Sequence, residues 1–113
     1  MKLELPWPPT INHYWGRRGN WVYLKQAGKD FRELAMWKIK ETKVDMIDTL
    51  AVVTLQLYPP DRRKRDTDNV LKALFDALQH GGAISDDYLI AEHHFYRHGP
   101  EKPGRVEITL DTL

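Results

Sequence analysis

Four consecutive cations run directly into a pair of carboxylates in the stretch DRRKRDTDNVLKALFDAL, residues 61–78. Asp66 and Asp68 are two residues apart, and Lys72 follows Asp68 by one helical turn. Asp87 comes later, just before a predicted strand. Three carboxylates at one point repel each other unless a divalent cation neutralises them, and oxygen ligands favour Mg²⁺ or Mn²⁺ over zinc. The spacing therefore predicts a metal centre at which Asp66, Asp68 and Asp87 meet.

Such a centre is suited to cleaving a phosphodiester. A divalent metal can activate water and stabilise the charge that develops during in-line attack. The ammonium of Lys72 can stabilise the transition state or the leaving oxygen. The basic block of Arg62, Arg63, Lys64 and Arg65 can neutralise DNA phosphates. Nucleic acid is therefore the expected substrate.

Each of these residues also has a purely structural interpretation. Asp66, Asp68 or Thr67 can cap the helix that begins here. Asp68 and Lys72 can form a surface ion pair worth only ~0.3–0.5 kcal/mol. An Asp pair before a strand is common in turns, and a basic block between strand and helix can simply be solvated. These alternatives stay open on spacing alone, because a two-aspartate motif of this length occurs by chance in many proteins.

The hydrophobic pattern predicts two helices and four strands. Apolar residues at helical spacing indicate a helix from Gly28 to about Lys43 and a second one over residues 67–80, which Gly81-Gly82 ends. Alternating or β-branched stretches indicate the strands. These strands are KLEL (residues 2–5), TLAVVTLQLY (49–58), YLIAEHHFYR (88–97) and RVEITL (105–110). Residues 10–25 read as a loop or ragged hairpin.

This order of elements predicts the α/β class: a two-layer single domain in which a small mixed β-sheet is packed with two main helices. The 113 residues fit one domain with a modest core. At the junction before the second helix, Asp66 and Asp68 can face one point, whereas within a helix they would diverge. After the helix the chain returns, and Asp87 is expected to rejoin them.

The composition excludes several classes of protein. There are no cysteines, so disulfides, thiolate zinc sites and thiol nucleophiles are ruled out. No apolar run approaches the ~18 residues of a transmembrane helix, and prolines interrupt the N-terminus, so a cytoplasmic protein is expected. The net charge is only +1, but residues 1–40 carry eight Lys/Arg against three acids. Local charge thus favours a polyanionic partner where net charge does not.

Nearly the whole chain resembles the RusA family of Holliday junction resolvases. The N-terminal LPWPPTIN is similar to the opening of that family. The stretch PPDRRKRDTDNVLKALFDAL resembles its P-x-x-R-x-R-D-x-D-N-x-x-K-x-x-x-D-A-L core, and SDD and GRVEITL follow as in the family. Departures are mild: Thr10 stands where serine is common, and the chain has no extended tail.

The resemblance implies one RusA-like endonuclease domain over residues 1–113, acting as a Mg²⁺-dependent homodimer that makes paired nicks in four-way DNA junctions. It implies that Asp66, Asp68 and Asp87 bind the metal and that Lys72 is catalytic with them. Mn²⁺ is a possible substitute metal. Asn69, Asp76 and Asp86 also match family positions, with Asp86 the uncertain member of its pair. Asp76 either hydrogen-bonds locally or supports the site.

Several other side chains have two interpretations. Arg17 and Arg18, among loop aromatics, are candidates for an arm that contacts DNA, although such aromatics are equally often packed against their own domain. His93 and His94 point to opposite faces of a strand, so core or dimer packing is expected rather than metal binding. Trp7, between prolines, is expected to be structural.

The enzyme hypothesis has two rivals. A nuclease with the same site can cut other branched DNA, such as flaps or forks. A junction-binding protein whose aspartates are only helix caps would act without Mg²⁺ and tolerate Asp66→Asn. A homodimer is expected for a resolvase, because a four-way junction is nearly two-fold symmetric and needs two nicks. Either the exposed aromatics or the strand YLIAEHHFY can supply the interface.

Overall fold

The computed structural model describes residues 1–113 as a four-stranded sheet, a separate two-stranded hairpin and three helices. The strands are β1 (Lys2–Pro6), β2 (Trp15–Arg18), β3 (Trp21–Leu24), β4 (Ala51–Tyr58), β5 (Ile90–Arg97) and β6 (Arg105–Thr112). The helices are α1 (Ile11–Tyr14), α2 (Gln26–Glu41) and α3 (Thr67–His80). The mixed sheet and the two main helices confirm the predicted fold class.

The main sheet has the strand order β1-β6-β4-β5. Strand β6 is antiparallel to both β1 and β4, whereas β4 and β5 are parallel. Parallel neighbours need a crossover connection, and α3 provides it. The start of α3 therefore follows the end of β4, and the end of α3 leads back to the start of β5.

The core lies between one face of this sheet and the two long helices. Residues of β4 alternate between buried and half-buried, as the β-branched sequence predicts. Helix α3 buries Leu71, Leu74, Ala77 and Leu78 along one stripe, and each buried leucine stabilises the fold by roughly 1.5–3 kcal/mol. The predicted bounds of α3, residues 67–80, are confirmed.

Helix α2 begins at Gln26, two residues before its predicted start at Gly28. This glycine is buried inside the first turns of the helix. A Cβ built at Gly28 would lie 2.5 Å from the carbonyl oxygen of Tyr14. The glycine is thus needed for close packing of α2 against α1, not for ending a loop.

Residues 10–25 form a short helix followed by a regular hairpin, so the prediction of a hairpin is confirmed and that of a loop is wrong for Ile11–Tyr14. Strands β2 and β3 pair Arg17 with Val22 and Arg18 with Trp21. Gly19, with φ 61°, makes the turn in a conformation that favours glycine.

Strand β5 lies at one edge of the sheet, and from Ala91 onward every residue is exposed. Core packing of His93 and His94 is therefore wrong, while dimer packing stays a prediction. His94 Nε2 lies 2.7 Å from Glu92 Oε1, and His93 packs edge-on against Phe75. Among the helices, none combines the length and apolar character needed to cross a bilayer.

Candidate active site

Asp66 and Asp68 lie at the N-terminus of α3. Asp66 is the N-cap residue, and its Oδ1 accepts a hydrogen bond from the backbone N–H of Asp68 at 3.0 Å. The capping interpretation of Asp66 is thus confirmed, and it leaves the second carboxylate oxygen without a protein partner. The carboxylate of Asp68 is exposed and forms no hydrogen bond or ion pair. The positive end of the helix dipole favours both charges.

Lys72 does not pair with Asp68, so the surface ion-pair interpretation is wrong. Its Nζ lies 5.2 Å from the centroid of the Trp15 ring. Lys72 lines an open cleft of about 540 Å³ together with Arg17 and Lys25, and no acidic residue lines that cleft. Three cations without a carboxylate make this cleft a suitable place for an anion such as a phosphate.

A second, smaller cleft of about 250 Å³ adjoins the first. The proline-rich N-terminal segment, from Trp7 to Asn12, forms one wall, and Lys64, Asp66 and Asn69 lie on the other. Both clefts include Ile11 and Asn12, so they form one continuous groove across α1 and the start of α3. The LPWPPTIN motif and the acidic motif, distant in sequence, thus line the same site.

The basic block divides into one cation held by its own loop and three exposed cations, of which Arg63 lies with its Nε 3.9 Å from Asp61 Oδ2. Arg65 Nη2 lies 2.8 Å from Asp61 Oδ1, and Nη1 donates to backbone carbonyls of the same loop. The Arg65 guanidinium also lies 5.7 Å from the Trp7 ring centroid. The N–H of Arg63 and then the Arg65 guanidinium lower the pKa of Asp61, so this carboxylate stays ionised. Arg62, Arg63 and Lys64 remain exposed.

Asp87 lies at the opposite end of α3 from the other two carboxylates. Its backbone N–H donates to Gln79 Oε1 at 3.0 Å, in the last turn of the helix. The rise from Asp68 to Gln79 along the axis of α3 is about 16 Å. The sheet gives a similar separation. Asp87 precedes β5 and Asp66 follows β4, and the paired stretch of these two parallel strands, about 23 Å long, lies between the two residues.

The expectation that Asp87 rejoins Asp66 and Asp68 is therefore wrong within one chain. A helix between parallel strands returns the chain to the starting edge of the sheet, not to the point where the helix began. Ligands of one Mg²⁺ lie within about 4 Å of each other. No group of three or more His, Cys, Asp or Glu side chains in the chain could hold a metal ion. The predicted three-carboxylate metal centre does not fit a single chain.

A polar cluster that the sequence pattern did not reveal lies beneath the groove. Asp76 accepts hydrogen bonds at 2.8 Å from both Arg32 Nε and Arg32 Nη2, and a 2.5 Å hydrogen bond from the hydroxyl of fully buried Tyr14. His80 Nε2 lies 3.5 Å from the same carboxylate. This network ties α1, α2 and α3 together, so Asp76 has a structural role in the packing of the three helices, and its support of the site stays a prediction. The signal in the sequence was an acid beside the apolar stripe of α3.

We expect the cluster around Asp76 to contribute measurably to stability. Asp76→Asn should lower the free energy of unfolding by about 2–3 kcal/mol, because it removes a bidentate partner from half-buried Arg32. Tyr14→Phe should cost about 1–2 kcal/mol. Denaturant unfolding of both variants measures these losses; Asp30→Asn, on the exposed face of α2, is the control. A loss below that of the control would contradict the assignment.

The same cluster gives an expected pH dependence. Burial, and then the Asp76 carboxylate, raise the pKa of Tyr14 above its ordinary value of 10.0. Because the folded pKa exceeds the unfolded one, the stabilisation is complete below pH 10 and is lost as the pH rises above it. The Tyr14→Phe variant should not show this loss of stability as the pH rises above 10.

The model of the family described as Endodeoxyribonuclease RusA matches residues 6–111. A relative from Enterobacteria phage HK97, named Crossover junction endodeoxyribonuclease rusA, is 34% identical over 99% of this chain and 94% of its own length. The proteins named Crossover junction endodeoxyribonuclease RusA in Shigella sonnei (strain Ss046) and Escherichia coli (strain K12) are each 32% identical over 98% of this chain and 93% of their own lengths. The matches include the proline-rich wall, the acidic pair and β6, and the chain belongs to the RusA family of endodeoxyribonucleases.

Proposed function

We propose that this protein is a structure-selective endonuclease that resolves four-way DNA junctions by paired, Mg²⁺-dependent nicks in recombination and repair. One feature carries the proposal: in a chain of the RusA family, Asp66 and the cations Arg17, Lys25 and Lys72 border one groove at the start of α3. The relatives along the full length of the chain are named for cutting crossover junctions.

The groove provides two of the functions that phosphodiester hydrolysis needs. Lys72, Arg17 and Lys25 can hold a phosphate in the larger cleft and counter the charge that develops on it. Trp15 beneath Lys72 restricts where the ammonium lies. The exposed Arg62, Arg63 and Lys64 extend the positive surface along the DNA backbone, and Arg18 on the hairpin continues it.

Nucleases of this family require a divalent metal in general, and we propose Mg²⁺ as the natural ion. Asp66 and Asp68 would supply two carboxylate ligands, which suit Mg²⁺ or Mn²⁺. A third acidic ligand is not close to them in the chain. Waters and a substrate phosphate would complete the coordination, as they usually do where one or two carboxylates hold Mg²⁺.

We also propose that the protein acts as a homodimer. A junction needs two nicks, and one chain carries one acid pair at the start of α3. A C₂ dimer presents two such pairs and matches the two-fold symmetry of the junction.

A cleavage assay tests the proposed function. A synthetic four-way junction should be cut into nicked duplexes with Mg²⁺ and remain intact with EDTA. A flap, a fork and a linear duplex of the same sequences serve as comparison substrates. Equal cutting of flaps or forks would favour the rival branched-DNA nuclease, and binding without cutting at any Mg²⁺ concentration would favour the junction-binding protein.

Substitutions in the basic block, residues 62–65, should divide into those that weaken junction binding and one that lowers the stability of the fold. Arg62→Gln, Arg63→Gln and Lys64→Gln should each weaken junction binding and reduce the slope of log affinity against log salt by about 0.9 for each phosphate that is no longer neutralised. Arg65→Gln should instead lower the thermal midpoint, since Arg65 is bound to Asp61 and its own loop. Binding titrations at several salt concentrations, with thermal unfolding, separate the two effects. An unchanged salt slope in the variant that carries all three glutamine substitutions would contradict a role of the block in binding DNA.

A further inference from the structure

The hairpin of β2 and β3 has two faces with different surroundings. Residues opposite each other in an antiparallel pair share a face, and successive residues alternate between the faces. The register places Trp15, Arg17, Val22 and Leu24 on the inner face and Gly16, Arg18, Trp21 and Tyr23 on the outer face. On the inner face, Trp15 and Leu24 pack against the core, and Arg17 lines the larger cleft. The three side chains of the outer face line neither cleft of the groove.

The outer face carries an exposed aromatic pair that is held in position from below. Trp21 is 66% exposed and Tyr23 is 37% exposed. Their ring centroids lie 6.2 Å apart, with the ring planes tilted by 48°. Tyr23 lies on the backbone of buried Gly16, where a Cβ would collide with the tyrosine ring. Gly16 thus makes room for Tyr23, Tyr23 packs against Trp21, and most of the indole surface stays free for a ligand.

The charge around this aromatic pair suits a nucleic acid. Between Glu4 and Asp30 the chain has no acidic residue, and it carries Arg17, Arg18, Lys25 and Lys29. Arg18 lies directly opposite Trp21 in the hairpin, on the same face. A polyanion is therefore attracted to the hairpin, whereas a basic partner would be repelled. An exposed ring beside a cation is a combination with which proteins bind unpaired bases, because the ring stacks on the base and the cation neutralises a neighbouring phosphate.

Stacking on an aromatic ring favours a base at a branch point over a base within a duplex. Inside a continuous duplex each base is already stacked on both sides, so an inserted side chain first has to unstack a base step. At a branch point the continuous stack is interrupted, and the face of a base is available at a lower cost. A ring that stacks on bases therefore adds affinity for branched DNA and little affinity for linear duplex.

We infer that Trp21, supported by Tyr23, stacks on a base at the branch point of the DNA and contributes to the preference for branched over linear DNA. This inference rests on the proposed function, because it assigns the structure-selective part of that function to a residue outside the groove. The hairpin then contacts phosphate with its inner face, through Arg17, and a base with its outer face. A second copy of the chain is a less suitable occupant, because a contact between two hairpins would bring their arginines together.

Binding measurements without cleavage test this inference. The affinities for a synthetic four-way junction and for a linear duplex of the same sequence are measured in Ca²⁺. Trp21→Thr, which suits a strand but cannot stack, should weaken junction binding by ~5- to 150-fold, as expected for the loss of one base–aromatic stack, and leave duplex binding nearly unchanged. Trp21→Phe keeps an aromatic ring and should retain most of the preference for the junction. Trp37→Ala is the matched control, since Trp37 is a 55% exposed tryptophan on α2, and it should change neither affinity.

Photo-cross-linking of the wild-type protein identifies the contact directly. Junctions that carry 5-iodouracil at a base flanking the branch point should cross-link to Trp21 on irradiation, as mapped by mass spectrometry of the digested protein. The same modified base in the middle of an arm should not cross-link to it. Arg18→Gln should weaken the binding of junction and duplex alike and lower the slope of log affinity against log salt by about 0.9 for each phosphate that is no longer neutralised.

The outcomes separate this inference from the proposed function. An unchanged preference for the junction in Trp21→Thr, or equal cross-linking from the arm and from the branch point, would overturn the inference while cleavage remained. A change from dimer to monomer in light scattering of Trp21→Thr would also overturn it, because the hairpin would then contact a second copy. A wild-type protein that gives the branch-point cross-link but cuts no junction in Mg²⁺ would count against the proposed function and support the stacking contact.

Discussion

Replacing Asp68 with asparagine should abolish cleavage of a four-way junction while the fold and the affinity for the junction remain. The side chain is exposed and makes no hydrogen bond or ion pair, so the substitution removes a charge and leaves the packing of the protein intact. A catalytic metal stabilises the transition state by several kcal/mol, so the loss of Asp68 as one of its proposed ligands should slow cleavage by at least ~10²–10³-fold. Affinity should stay equal or rise, because the variant has one negative charge fewer facing phosphate.

Asp66→Asn distinguishes a helix cap from a metal ligand at the same position. Asparagine caps helices about as well as aspartate, so the bond to the N–H of Asp68 and the stability of α3 should survive. If Asp66 were only a cap, the variant would be fully active. If it also binds metal through its second oxygen, cleavage should fall as far as in Asp68→Asn.

Single-turnover cleavage and junction binding in Ca²⁺, measured on both variants, check these expectations. Asp30→Asn is a matched control, because Asp30 is an exposed acid near the start of the other long helix and accepts a hydrogen bond from Gln26. It should cleave within about two-fold of the wild-type rate, since surface changes away from the site are nearly neutral. Wild-type rates in Asp66→Asn and Asp68→Asn would refute the assignment of the acid pair.

Local patterns were sufficient to predict the elements of this fold. The alternation in β4 and the apolar stripe of α3 are strong periodic signals, and they gave bounds for α3 that the structure confirms. Gly28 misled the prediction of α2, because a glycine required by close packing and a glycine that ends a loop look alike in a sequence. Whether an element is buried is a tertiary property, which is why the sequence left core and dimer packing of His93 and His94 open although β5 lies at an exposed edge.

The acidic site depends on tertiary structure even more than β5 does. Residue types and spacing indicated the carboxylates, but whether Asp87 reaches the start of α3 depends on the pairing of β4 and β5. Had those strands been antiparallel neighbours, α3 could have returned the chain to its starting point. The parallel pairing sends Asp87 to the other end of α3, and no local pattern in the sequence distinguishes parallel from antiparallel pairing of these strands. The Tyr14–Asp76–Arg32 cluster was missed for a related reason, since its members lie on three helices.

Lys72→Ala should lower the rate of cleavage by about 10²–10³-fold, the range seen when one preorganised donor to a developing charge is removed. The stability of the protein should change by less than about 1 kcal/mol, because the ammonium lies over the face of Trp15 and forms no ion pair. Junction affinity should fall little, since the remaining cations still neutralise most of the phosphates. A rate effect without a matching affinity effect assigns the lysine to the transition state.

Conservative replacements then separate charge from position. Lys72→Arg keeps the positive charge and the stacking on Trp15 but changes where the donors lie, so it should recover part of the rate that Lys72→Ala loses. Lys25→Ala removes another cation from the same cleft, one that donates to the carbonyl of Asn12. It should weaken binding more than it slows single-turnover cleavage. If Lys25→Ala and Lys72→Ala had the same effects on rate and affinity, the cleft would act only as a positive surface. A large rate loss confined to Lys72 would instead mean that this ammonium, held over Trp15, meets the reacting phosphate.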